Sequence, residues 1–127
     1  SLVACLGDGH DGVWNVFEAV ATASERLEIL DWYHLKENLY KIGGSIKRIK
    51  QAESSLWQGC VDEAKALFQD CQLEQARKFC NYLEHHRQRI VNYAYFQAEG
   101  IPIGSGAVES SIKQIDHRMK LTGAQWK

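Results

Sequence analysis

The chain has 127 residues, 45% of them hydrophobic and 24% charged, with a formal net charge of −1. That is long enough for one domain with a real core, and too apolar for a chain that stays disordered. Near-neutrality excludes a general polyanion-binding surface, while a local basic stripe stays compatible with DNA.

Leu2 to Gly7 reads as a short buried strand, a continuous apolar run stopped by glycine. Its start at Ser1-Leu2-Val3, without Met and already strand-like, reads as a piece of a longer protein. Gly9 and Gly12 punctuate the exit, and Val13 to Ala23 follow at helical spacing, with Asp11 suited to cap that helix. Leu27-Glu28-Ile29-Leu30 is a second strand, and Tyr33 to Ile42 a helix that closes at Gly43-Gly44. Strand, helix, strand, helix within 44 residues is the signature of an α/β unit with parallel strands.

The pattern then changes. Residues 45–98 hold no proline, and Gly59 is their one glycine. Apolar stripes through Ile46, Ile49, Leu56, Val61, Leu67, Ala76, Phe79 and Leu83 predict two or three long amphipathic helices, with a break near Asp70 to Leu73. Gly100 and Pro102 end the block, and a final helix is expected from about Ala107 to Lys120. The organisation expected is therefore 1–44, 45–98 and 99–127: the start of a core, a helical block, and a return to the core.

Cys5, Cys60, Cys71 and Cys80 form no C-x-x-C pair and no zinc-ligand spacing. No apolar stretch reaches the roughly 18 residues of a membrane span, and no signal-like segment opens the chain. These features lead us to expect a reducing, cytoplasmic setting with buried free thiols and no membrane partner.

Three places can carry chemistry. Asp8 stands between glycines where a strand meets a turn, the end of a parallel sheet at which ligands bind; the plainer reading is a turn aspartate bonded to its own backbone. Asp31 and His34 lie three apart at the next strand-to-helix junction, as a metal pair or, the reading we favour, as a helix cap with a packed histidine. Glu109 follows Gly104-Ser105-Gly106 at a helix start, where the dipole favours an anion and where a metal ligand can also stand. Ser105 or Ser110 can equally cap that helix. Beyond it, Lys113, Arg118, Lys120 and Lys127 face a single acid, Asp116.

Taken in order, these pieces are Asp-Gly after a strand, D-x-x-H after the next, a helical stretch, G-S-G-x-V-E-S at 104–110, and R-x-K-x-x-G-x-x-W at 118–126. Together they resemble bacterial DDE-type insertion-sequence transposases over nearly the whole chain. The last two motifs are the most specific. The resemblance implies an α/β, partial RNase H-like fold, mostly helical by content. A short parallel sheet, an all-helical insertion and a C-terminal catalytic helix would make it up. It maps the second catalytic aspartate onto Asp8 and the catalytic glutamate onto Glu109, both holding Mg²⁺ (or Mn²⁺). Asp31 and His34 become active-site support, and Lys113, Arg118, Lys120 and Lys127 the grip on DNA. It further implies homo-oligomers, association with the nucleoid, and a first aspartate from an earlier strand that this chain does not contain. The alternative from another class is a non-catalytic helical module that binds DNA or protein.

Overall fold

The computed structural model describes residues 2–104 and the backbone of residues 110–115. β1 (Leu2–Gly7) and β2 (Arg26–Leu30) pair in parallel, with Gly7 opposite Leu30, and α1 (Asp11–Val20) connects them. Ala4, Cys5 and Leu6 are buried, as a continuous apolar strand requires. Trp14 and Phe17 of α1 are also buried and meet edge-to-face with ring centroids 5.6 Å apart. α1 begins two residues before the expected start. His10, not Asp11, is its cap residue, and Asp11 sits in the first turn, where the helix dipole still favours it.

α2 (Trp32–Tyr40) follows β2 directly and ends before Gly43 and Gly44, whose φ values of 76° and 80° explain the stop. The helical block is more divided than its stripes suggest. It holds α3 (Ile46–Trp57), α4 (Val61–Ala66), α5 (Glu74–His85), a 3-10 turn at Arg87–Arg89, and α6 (Tyr93–Ala98). One extra break falls at Gly59. Its φ is 77°, and a Cβ there would stand 2.8 Å from the Val91 carbonyl oxygen. Glycine lets the α3–α4 turn press against the strand-like segment that leads into α6.

One apolar cluster joins the two parts. Trp32 of α2 lies with its ring centroid 5.0 Å from Trp57 of α3 and 5.0 Å from Tyr93 of α6, and Trp57 stacks on Tyr93. Such pairs contribute about 0.5–1.5 kcal/mol each beyond the area they bury. The Tyr93 hydroxyl, fully buried, donates to the Leu30 carbonyl at 2.6 Å and so ties α6 to the end of β2.

The expected C-terminal catalytic helix from Ala107 to Lys120 is corrected over residues 110–115, and the rest of it lies outside the described residues. Residues Ser110–Ile115 form a strand, β3, antiparallel to β1, with Gly7 opposite Ser110 and Leu2 opposite Ile115. The sheet order is β2-β1-β3. β1 has two edges, and pairing with β2 satisfies the backbone groups of only one; a second strand satisfies the other. That long-range demand outweighs a weak local helix preference. The fold is thus mixed α/β and mostly helical, with a parallel β1–β2 pair. Among the described residues no helix is long and apolar enough to cross a membrane. Of the four thiols only Cys5 is buried; Cys60, Cys71 and Cys80 are half-buried, and none of the four is in a disulfide.

Candidate active site

Asp8 follows the last residue of β1, and Asp31 follows the last residue of β2. Because the strands are parallel and end in register, both acids stand at one edge of the sheet. The Asp31 amide donates to the Gly7 carbonyl at 2.7 Å, which joins the two strand exits directly.

The local jobs of the two acids differ. Asp8 is half-buried, and its Oδ1 accepts the His10 amide at 3.0 Å, the turn-aspartate geometry. Asp31 is buried, and its Oδ1 accepts the amides of Tyr33 at 2.9 Å and His34 at 3.2 Å, which caps α2. His34 stands one turn inside the helix and is half-buried, and its carbonyl accepts the Asn38 side-chain amide at 3.0 Å. Of the two readings of D-x-x-H, the capping one describes the Asp31 carboxylate as it stands.

Three side chains that sequence reasoning had not singled out gather near this edge, one from α2 and two from the helical block. Asn38 of α2 donates to the Tyr82 hydroxyl at 3.4 Å. Both Tyr82 and His86 crowd Gly9. A Cβ on Gly9 would meet the Tyr82 hydroxyl at 3.1 Å and His86 Nε2 at 3.4 Å, and its φ of 97° leaves the position to glycine. Burial pushes the Tyr82 phenol well above its ordinary value, and the negative charges of Asp8 and Asp31 add to that. Tyr82 therefore remains a neutral hydroxyl beside two carboxylates. His86 is buried, and desolvation, followed by the charges of His85 and Arg89, lowers it to about 4. Tyr82 and His86 lie four apart at the end of α5, a spacing that places both on one face. Nothing in the sequence says that this face meets Asp8.

The chain returns to the same edge through residues 101–104. The Trp32 amide donates to the Ile103 carbonyl at 2.8 Å, and a Cβ on Gly104 would stand 2.8 Å from Asp31 Oδ1. Glycine thus permits the backbone to run across the Asp31 carboxylate. Six residues later Ser110 pairs with Gly7, next to Asp8. Glu109 itself lies outside the described residues, as do Arg118, Lys120 and Lys127. Lys113 is in β3, opposite Ala4, rather than on a helix after the glutamate.

Hard carboxylate oxygens at a strand end are the donor type that Mg²⁺ or Mn²⁺ prefers. The donor count falls short. No group of three His, Cys, Asp or Glu side chains able to hold a metal occurs among the described residues. Asp8 can supply one ligand, because His10 occupies only its Oδ1. No protein-family model, curated protein or solved structure matches the chain.

Proposed function

We propose that this chain is the carboxylate-bearing part of a DDE-type transposase, an enzyme that cuts and joins DNA by phosphoryl transfer. The observation that carries the reading is the edge shared by Asp8, Asp31, Gly104 and Ser110. Gly104 and Ser110, the first and last residues of the G-S-G-x-V-E-S motif, both stand at this edge, which supports a role for Glu109 beside Asp8. In this reading Asp8 and Glu109 are metal ligands, with a further aspartate needed to complete the set. Asp31 fixes the start of α2 and, with His34, supports the edge without ligating. A bound Mg²⁺ or Mn²⁺ pair would supply nucleophile activation and stabilisation of the leaving oxygen. The basic residues Lys113, Arg118, Lys120 and Lys127 would hold DNA phosphates. An RNase H-like core and homo-oligomeric action on paired DNA ends belong to the same proposal.

The test is cleavage of element ends by the protein that carries this chain. Glu109→Gln keeps size and hydrogen bonding but removes the charge a divalent ion needs, so strand cleavage is expected to fall by orders of magnitude. Gel-shift affinity rests on phosphate contacts and is expected to survive. Full cleavage by the variant overturns the enzyme reading.

A second reading rests on a specific observation. Both carboxylates at the strand exits already accept backbone amides, Asp8 in a turn and Asp31 at a helix start. A non-catalytic module that binds DNA or protein uses them in this way and in no other.

A further inference from the structure

Three cavities line up along the exposed side of α2. One, of about 470 Å³, lies between Tyr33 and the Gly100–Gly104 return, beside Asp31. The next, about 320 Å³, is lined by Tyr33, Lys36, Glu37 and Tyr40. The third, about 560 Å³, is lined by Trp32, Tyr40, Lys50, Glu53, Ser54 and Trp57. Tyr33 is shared by the first two and Tyr40 by the last two, so they form one groove leading away from the acid edge.

The groove is floored by aromatic rings interleaved with lysines. Tyr33 is 50% exposed and Tyr40 37%, which leaves both rings open to a partner. They stand at positions i and i+7 of one helix, about 10 Å apart at 1.5 Å per residue, a span of two or three nucleotides of a single strand. The acids along the groove are already engaged. Glu53 pairs with Lys36 at 3.5 Å and accepts the Tyr40 hydroxyl, and Glu37 pairs with Lys41 at 3.8 Å. Lys50 makes no ion pair among the described residues, so it is the lining cation left to meet an anion beside Trp57 and Tyr40.

We propose that this groove binds single-stranded nucleic acid, with bases against Tyr33, Tyr40 and Trp57 and backbone phosphate at Lys50. Aromatic faces accept any base, and lysines track the phosphates, so the site is expected to tolerate sequence and to favour an unpaired strand over a duplex. A purely apolar peptide would leave Lys50 without a counter-charge. The proposal extends the reading of the acid edge as a nucleic-acid site and fails separately from it.

The experiment is fluorescence anisotropy of an end-labelled 12-nucleotide single strand and of its duplex, without divalent metal, on the full chain. Leaving out metal keeps the Asp8 and Glu109 question out of the result. The wild type is expected to prefer the single strand, and the Tyr33→Ala/Tyr40→Ala double variant to bind it at least about tenfold more weakly. Lys50→Glu, at an exposed position, is expected to weaken binding and flatten its salt dependence. Folding of each variant is checked by its thermal melt, and Trp57 is left intact because it packs on Tyr93. Affinities within twofold of wild type for both variants overturn the proposal. So does the absence of strand binding by the wild type. A dimer in sedimentation that the double variant abolishes, without strand binding, overturns it in favour of a second copy of the chain. Strand binding in a protein that does not cleave leaves the groove standing and removes only the enzyme reading.

Discussion

The sheet edge and the helical block are built in opposite ways. The edge is two parallel strand exits, each ending in an aspartate that bonds to the backbone of the next few residues. Its order is local. The helical block is held by rings and long-range side-chain contacts, and much of what it holds is the edge itself. Tyr93 reaches the Leu30 carbonyl at 2.6 Å, Arg89 pairs with Glu28 of β2 at 2.8 Å, and Tyr82 and His86 press on Gly9. The difference teaches that the acids owe their turns to their own neighbours and their shared position to the parallel pairing of β1 and β2, which a block more than sixty residues away in sequence packs against.

The largest effect is expected from breaking the block at Gly59. Alanine there combines a φ of 77° with a Cβ 2.8 Å from the Val91 carbonyl oxygen, neither of which a side chain can relieve. Gly59→Ala is expected to cost about 3 kcal/mol, from left-handed backbone strain and overpacking together. Denaturant unfolding of the variant measures it. If the block braces the edge, amide exchange at Asp8 to His10 should accelerate along with that of α3. Unchanged exchange at the edge would separate the two regions.

Acid is the next lever. His86 has a folded value near 4, against an ordinary one of 6.5, because burial and the cations of His85 and Arg89 oppose its charge and only Asp11 favours it. Between those values the unfolded chain binds a proton that the folded chain refuses, so stability rises with pH across the window and is lost as pH falls from about 6.5 towards 4. The loss is on the order of 2 kcal/mol, and His86→Gln should flatten the profile in that range. Melting temperatures from pH 7 to 4 test it, and an unchanged slope in the variant would remove His86 as the cause.

The smallest effect sharpens the local side of the comparison. Asp31→Ala removes the cap of α2 and is expected to cost about 1 kcal/mol. Its influence should be confined to the first turn of α2 and the Ile103–Gly104 return, as read by amide exchange. Asp31→Asn should recover most of the stability, since an amide oxygen can also accept the Tyr33 and His34 amides.

Composition and local patterns by themselves determined β1, β2, the glycine stop after α2, the helical character of 45–98, and the acids at the strand exits. Each of these follows from interactions within a few residues: continuous apolar runs, a side-chain cap, a left-handed glycine. Tertiary structure decided the rest. β3 exists because the free edge of β1 needs partners, a demand no window around Ser110 to Ile115 contains. The division of the helical block turns on Gly59 meeting the backbone of Val91, thirty-two residues away. Tyr82, Asn38 and His86 joined the site because two helix faces packed over a turn, and side chains that meet only through packing leave no spacing to read.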